Sequence, residues 1–243
     1  MTMPPRISIV IPARSDAAAL RRTLDHLVER VLPPGPPAEV IVAASGDPDG
    51  TERAVGARAR LLWPKGSTRA ALMNAGAAAA RGAALLFLHA DSLPPPTALA
   101  LIDWALRDPR VVGGAFEHRF DEDALSLWAV CLVNRLRYRL TRNYYGDQGL
   151  FVRTAVFQAI GGFRHLALLE DLDFSQRLRR AGRTVLVRTP LITSARRFTA
   201  RGPWRTLAFC GWLLARHTLG LDAQRYAEAW KGPAEQAPGT PWR

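Results

Sequence analysis

The sequence predicts an α/β fold: a mostly parallel central sheet with helices on both faces, followed by an amphipathic C-terminal helix. Three observations predict it. Short aliphatic runs recur at 7–11, 39–43, 60–63 and 84–88. Stretches with helical periodicity or helix-forming composition separate them, as in a wound parallel sheet. Polar clusters follow the first, second and fourth runs, at Pro12–Asp16, Asp47–Thr51 and His89–Ser92. That is where open α/β sheets bind their ligands.

Ile7–Ile11 reads ISIVI, a β-branched run suited to a strand buried on both faces, and Pro12 is expected to end it. Ser15 and Asp16 can cap the next helix, Ala17–Val31, whose Leu20, Leu24, Leu27 and Val31 fall at steps of three and four. Pro33–Pro37 breaks that helix. Glu39–Ala43 (EVIVA) gives the second strand and Ser45–Thr51 a turn rich in Gly, Asp and Pro. A short helix over 52–59 and a strand over 60–63 follow. Thr68–Arg81 is an Ala-rich helix with Gly82 as its expected C-cap. Ala84–Leu88 (ALLFL) is the fourth strand, and Thr97–Arg107 is the helix after Pro94–Pro96.

The second half is less regular. It reads as a strand over 111–120, a helix over 125–140 and a polar loop over 143–150. Regular structure returns over 151–160, then a helix over 171–181, a strand over 184–187 and a helix over 204–221. The expected organisation is one domain over 1–200, a helical extension over 201–231 and a disordered Pro-rich tail over 232–243.

A chain of 243 residues with 48% apolar content fits one such domain and can bury a real core. The net charge is +12, nearly all from arginine, since Lys65 and Lys231 are the only lysines. Such a balance suits nucleotide phosphates or an anionic membrane surface, or it reflects a genome biased toward arginine codons. The arginines are scattered and no nucleic-acid motif is present, so a nucleic-acid partner is not expected. Cys131 and Cys210 form no CxxC pair; buried free thiols are expected rather than a zinc site or a disulfide. No signal peptide and no run of about 18 apolar residues is visible. The expected location is therefore the cytoplasm. Trp204–Leu221 is apolar with Arg205, Arg216 and His217 at its flanks. It can lie on the inner face of the cell membrane and present a lipid-linked acceptor, or pack on the domain or on a second subunit.

Several residues carry chemistry. Asp91, after an aliphatic run, suits a divalent cation that bridges phosphate oxygens; it lies too far upstream to cap the helix near residue 97. Glu170 and Asp171 open a helix, as a catalytic base would or as an acidic first turn would. Arg196 and Arg197 can grip a diphosphate or can form a solvated basic patch. Gly146-Asp147-Gln148 offers an acceptor and an amide to sugar hydroxyls, or is a plain turn. His89 has no partner histidine nearby in the chain.

Five stretches then carry a resemblance: ISIVIPARSDAAAL; PDGT; MNAGAAAARGAALLFLHADSLPP; GDQGLFVRTAVFQAIGGF with LLEDLDFSQRLRRAG; and TSARRF. In this order they resemble a family 2 glycosyltransferase of the GT-A fold, over residues 6 to about 200. The pattern is most similar to a small bacterial subgroup often encoded beside radical-SAM or selenium-related proteins. The resemblance implies an inverting transfer of a sugar from a nucleotide-diphosphate sugar to an acceptor hydroxyl. It implies a divalent cation, Mg²⁺ or Mn²⁺. Asp91 stands last in a degenerate DxD motif, after His89 and Ala90, and would bind the metal and the donor diphosphate. Asp171, beside Glu170, would be the base. Pro12, Ala13, Arg14 and Asp16 would line the nucleotide pocket, with Arg69 and Asn74 near the donor. Gly146, Asp147 and Gln148 would face the sugar or acceptor, and Arg196 and Arg197 would hold the diphosphate.

Two departures stand out. Ala44 occupies the place where the family keeps an Asp that bonds the nucleobase, and an alanine side chain cannot do so; Asp47 is the candidate substitute. Leu72 stands where close relatives tend to have Gln. Two rival readings remain open. A nucleotidyltransferase would share Asp91, although the chain lacks a Gly-rich, Lys-ending phosphate loop. A binder that kept the fold and lost catalysis would explain Ala44.

Overall fold

The structure, a computed structural model, describes residues 5–14, 16–227 and 229–230. The expected cap at Ser15 and the expected disorder over 232–243 lie outside the described residues.

The expected α/β fold is present. The first half runs β1 (Ile7–Arg14), α1 (Ala17–His26), β2 (Ala38–Ser45), α2 (Pro48–Val55), β3 (Arg60–Leu62), α3 (Arg69–Ala79), β4 (Ala84–Phe87), β5 (Ser92–Leu93) and α4 (Ala98–Ala105). The second half runs β6 (Val111–Phe120), α5 (Leu125–Thr141), β7 (Leu150–Arg153), α6 (Thr154–Ala159), α7 (Glu170–Ala181), β8 (Arg183–Thr193), α8 (Arg196–Arg201) and α9 (Pro203–Thr218). The strands form one sheet in the order β3-β2-β1-β4-β7-β6-β8-β5. Neighbours are parallel from β3 to β4 and between β6 and β8, and β7 runs antiparallel to both β4 and β6.

Alternation along the strands builds a core on each face of the sheet. Ile9 and Ile11 pack with Leu20, Leu24, Leu99 and Ile102 on one face. Val10, between them, packs with Met73, Phe157, Phe174 and Leu178 on the other. The central strands are covered on both sides, which is why their sequences are almost purely aliphatic.

Four local expectations change. Pro12 does not end β1, which continues beside β2 as far as Arg14. Val10 accepts the last β4-side bond, from Leu88 N–H, and Pro12, two residues on, faces the same side, where that ladder has stopped. Its missing N–H therefore costs nothing there. The PDGT turn is the first turn of α2, with Pro48 at a position that needs no N–H. Gly82 is not the cap of α3, a place held by Ala80; instead a Cβ on Gly82 would come within 2.6 Å of the Ser8 backbone nitrogen. β8 runs from Arg183 to Thr193 rather than over 184–187, passing a register shift where Phe116 pairs Val187 and Glu117 pairs Pro190. A bulge of that kind accommodates a proline inside a strand.

Cys131 and Cys210 are free thiols, half-buried rather than fully buried. α9 packs its Leu207 against Leu127 and Val130 of α5. Gln224 ties the segment beyond α9 to the approach to α7: its side chain accepts from the N–H groups of Ala167 and Leu168 and donates to the Leu168 carbonyl. Among the described residues no helix is long and apolar enough to cross a membrane.

Candidate active site

The polar clusters at the carboxyl ends of β1, β4 and β8 meet. β4 ends at Phe87 and the chain turns through His89–Ser92, closed by a bond from Ser92 N–H to the His89 carbonyl. Ser92 and Leu93 then pair with Thr193 and Ile192 at the end of β8. That two-residue strand sets the Asp91 turn beside the segment that enters α8, which carries Arg196 and Arg197.

Asp91 is half-buried. Burial raises its pKa, the charges of Arg196 and Arg197 pull it down, and the Asp16 carboxylate raises it. Asp16 does two jobs. One oxygen caps α1 by accepting from Ala19 N–H at 3.2 Å, and the other meets Arg196 at 2.9 Å. Arg197 stacks over the Trp230 ring at 4.8 Å. Two carboxylates and two arginines thus share one corner of the fold.

The second carboxylate pair opens α7. Leu169 enters α7 with φ of 62°, a left-handed conformation that costs a leucine about 1 kcal/mol or more. That bend directs Glu170 and Asp171 inward, where they are 2% and 8% exposed. Arg69, at the start of α3, donates to Glu170 at 2.5 Å and to His89 Nε2 at 3.0 Å. His89 Nε2 is therefore an acceptor, and the ring is neutral; burial first, then the charges of Arg69 and Arg197, hold its pKa well below 6.5.

Asp171 accepts from Gly146 N–H at 2.7 Å and from Leu172 N–H at 2.7 Å, one bond to each oxygen. A second lone pair on each oxygen is left for a substrate proton. Burial, then the neighbouring Glu170, raise the Asp171 pKa to about 6, against the opposing pull of Arg69. Gly146 lies so close that a Cβ on it would stand 2.6 Å from His89 Nε2 and 3.3 Å from Asp171 Oδ2. His89, Gly146 and Asp171 are thus in contact, and Asp91 is two residues from His89. The chain from His89 to Asp91 thus links the Asp171 contacts to the corner that holds Asp16, Arg196 and Arg197.

The other expected positions divide into two groups. Asp147 stands 3.8 Å from His118, half open to solvent, and its charge raises the pKa of Asp171, Tyr145 and Cys210. Arg14 and Asp47 are exposed at the ends of β1 and β2, and Pro12 and Ala90 are half-buried. Ala13 is buried and pairs with Ala44. By contrast, Gln148 and Asn74 spend their amides on the scaffold. Gln148 accepts from Tyr145 N–H and donates to the Phe116 carbonyl. Asn74 donates to the Phe163 carbonyl and accepts from its N–H. Each amide keeps one further N–H beyond these bonds.

Sequence reading missed three contributors. The Arg69 bridge between Glu170 and His89 joins residues far apart in the chain. Cys210 places α9 within electrostatic reach of Asp147 and Arg197. Ser45, at the tip of β2 next to Ala44, has a buried hydroxyl without a hydrogen-bond partner among the described residues; such an orphan is the kind of group a ligand completes.

The donor set suits a hard cation. Among the described residues there is no cluster of three or more His, Cys, Asp or Glu side chains able to hold a metal alone. Mg²⁺ and similar ions are commonly held by one or two carboxylates with substrate phosphates and water supplying the rest. Asp91 fits that pattern. His89 does not, since its Nε2 already accepts from Arg69.

Comparison with known proteins agrees with this fold. The model of glycosyl transferase family 2 matches residues 8–161. A mannosyltransferase from Pyrobaculum calidifontis, solved with GDP-Man and Mn²⁺, is 21% identical with a TM-score of 0.64, over 98% of this chain and 68% of that one. TarS residues 1–349 from S. aureus are 14% identical with a TM-score of 0.61, over 84% of this chain and 64% of that one. The same TarS segment with UDP-GlcNAc gives 15% identity and a TM-score of 0.61, over 78% and 58%. No curated protein matches the chain.

Proposed function

The chain belongs to glycosyl transferase family 2, and from that membership we propose that it performs an inverting transfer of a sugar from a nucleotide-diphosphate sugar to an acceptor hydroxyl. We place it in the small bacterial subgroup whose HAD, GDQG, ED and SARRF motifs it carries in order. The observation that carries the reading is Asp171: a buried carboxylate with its pKa raised to about 6, held by the Gly146 N–H beside the strand end that bears Asp91.

In this reading Asp171 takes the proton of the acceptor hydroxyl as its oxygen attacks the anomeric carbon. The bond from that carbon to the diphosphate breaks on the opposite face. Arg196 and Arg197 meet the charge that develops on the leaving phosphate. Asp91 would hold a divalent cation, which would supply further charge neutralisation there. Arg69 holds Glu170 and His89 so that neither competes for the acceptor. Asp147 faces the sugar or acceptor, and Asp47 recognises the base in place of the side chain that Ala44 lacks. The GDP-Man and UDP-GlcNAc held by the two solved relatives are the first donors to test.

Asp171→Asn is the decisive variant. It keeps the rise in melting temperature that donor and Mn²⁺ give the wild type, and it lowers nucleoside diphosphate release by roughly 100- to 10,000-fold. A folded, donor-binding variant with undiminished turnover refutes Asp171 as the base.

A further inference from the structure

Helix α5 is apolar on two faces, and the fold uses only one. Leu127 and Val130 are buried against Phe120 and Ala195, with Leu207 of α9 packed beside them. On another side Leu125, Trp128, Leu132, Leu136 and Leu140 recur at steps of three and four, and all are exposed: Trp128 at 62%, Leu140 at 86%. Five large apolar side chains in one stripe exceed the scattered exposure normal for a soluble surface. The neighbouring α9 adds exposed Trp204 and Trp212, and Leu219 just past its end.

Charge identifies what covers this surface. The chain has 21 acidic residues, yet Leu125–Thr141 and Pro203–Thr218 contain none. Arg139 and Arg142 follow one edge of the α5 stripe, Arg135 beside them is paired with Glu117 at 3.2 Å, and Arg205 stands beside Trp204. A second copy of this chain would lay two helices without a single carboxylate against themselves, with Arg139 and Arg142 gathered on both sides of the seam. Anionic headgroups satisfy the arginines while the acyl boundary takes the leucines and tryptophans.

We propose that the exposed stripe of α5, extended by α9, docks on an anionic lipid bilayer. α5 lies in the plane of the interface, with Trp128 at headgroup depth and Arg139 and Arg142 among the phosphates. The same helix is tied to the catalytic loop, because Arg137 stacks on Tyr145 at 3.9 Å, next to Gly146. The docking itself does not depend on the catalytic reading, and its test measures no turnover.

The test is flotation of the full chain with vesicles of phosphatidylcholine containing about 30 mol% phosphatidylglycerol, against phosphatidylcholine alone. The wild type floats with the anionic vesicles and is released by high salt. Trp128→Ser with Leu136→Ser leaves the charge unchanged and removes only exposed surface, so melting temperature holds while partitioning falls at least about tenfold. Equal flotation of the double variant overturns the proposal, since basic charge alone would then account for adhesion. Failure of the wild type to float overturns it too. So does light scattering that finds a dimer which the double variant loses, because the stripe would then be a subunit interface.

Discussion

Asp171 is ionised at the expense of the fold that holds it. Its pKa rises from 3.8 to about 6 because burial and Glu170 disfavour the charge. A carboxyl whose folded pKa is raised contributes stability below its unfolded pKa, and that contribution is lost as pH rises through the folded value. A base, however, must be ionised to work. Turnover should therefore rise with pH through about 6 and level off above it, over the range in which this residue's contribution to stability disappears. The variant Asp171→Asn separates the two effects. An amide cannot accept from both Gly146 and Leu172, a fixed cost of about 1 kcal/mol. The difference in melting temperature between variant and wild type should nevertheless move in the variant's favour between about pH 4 and about pH 7. A flat difference would mean that Asp171 is not perturbed by burial. Arg69 acts on the same titration. Replacing it with Ala leaves Glu170, 2% exposed, without its guanidinium partner. That should cost about 3 kcal/mol or more and move the pH midpoint of turnover upward, since Arg69 lowers the Asp171 pKa.

At the scale of elements, the loop before β7 is the most constrained part of the site. Gly146 holds Asp171 through its N–H and leaves no room for a Cβ against His89. His89 cannot retreat freely, because Arg69 holds its Nε2. Gly146→Ala should therefore keep the fold, displace the loop by a fraction of an ångström or more, and cost roughly 100-fold in kcat; unchanged donor affinity by thermal shift locates the loss in chemistry. This constraint was not legible in the chain, where Gly146-Asp147-Gln148 reads equally as a turn. The elements themselves were far more legible. Where a strand is buried on both faces, as β1, β2 and β4 are, its aliphatic run announces it. The β6 span was read to the residue, and α5 and α7 to within one. The misses share a cause: the local signal was overridden by a neighbour. Pro12 reads as a stop, yet the β4 ladder ends before it; the strand read over 184–187 runs on to Thr193, because a bulge beside β6 absorbs Pro190. The antiparallel entry of β7 between two parallel blocks leaves no trace in its own four residues.

Over the whole molecule, the site was read in pieces and assembled only by topology. Asp91, Asp171, Arg196 and Arg197 were legible because each ends or begins an element at the same edge of the sheet. The β5–β8 pairing that places Asp91 beside α8 rests on two residues that carry no pattern. The backbone bonds of Asn74 and Gln148 could not be read in advance, because an amide bonded to backbone and an amide facing a sugar have the same sequence. The net charge of +12 is a property of the entire chain, and it acts on any anionic donor before contact. Long-range attraction of that kind is screened over about 10 Å at 0.1 M salt. It speeds encounter without touching the transition state. The expected result is a several-fold fall in kcat/KM for a nucleotide sugar between about 50 mM and about 500 mM NaCl, with kcat nearly constant. Arg196→Ala removes a charge at the site itself, so it should lower kcat as well and should do so at every salt concentration. If salt and Arg196→Ala depress the same parameter to the same extent, the arginines only steer the donor. If kcat responds to the variant alone, Arg196 acts on the leaving diphosphate while the remaining positive charge gathers the substrate.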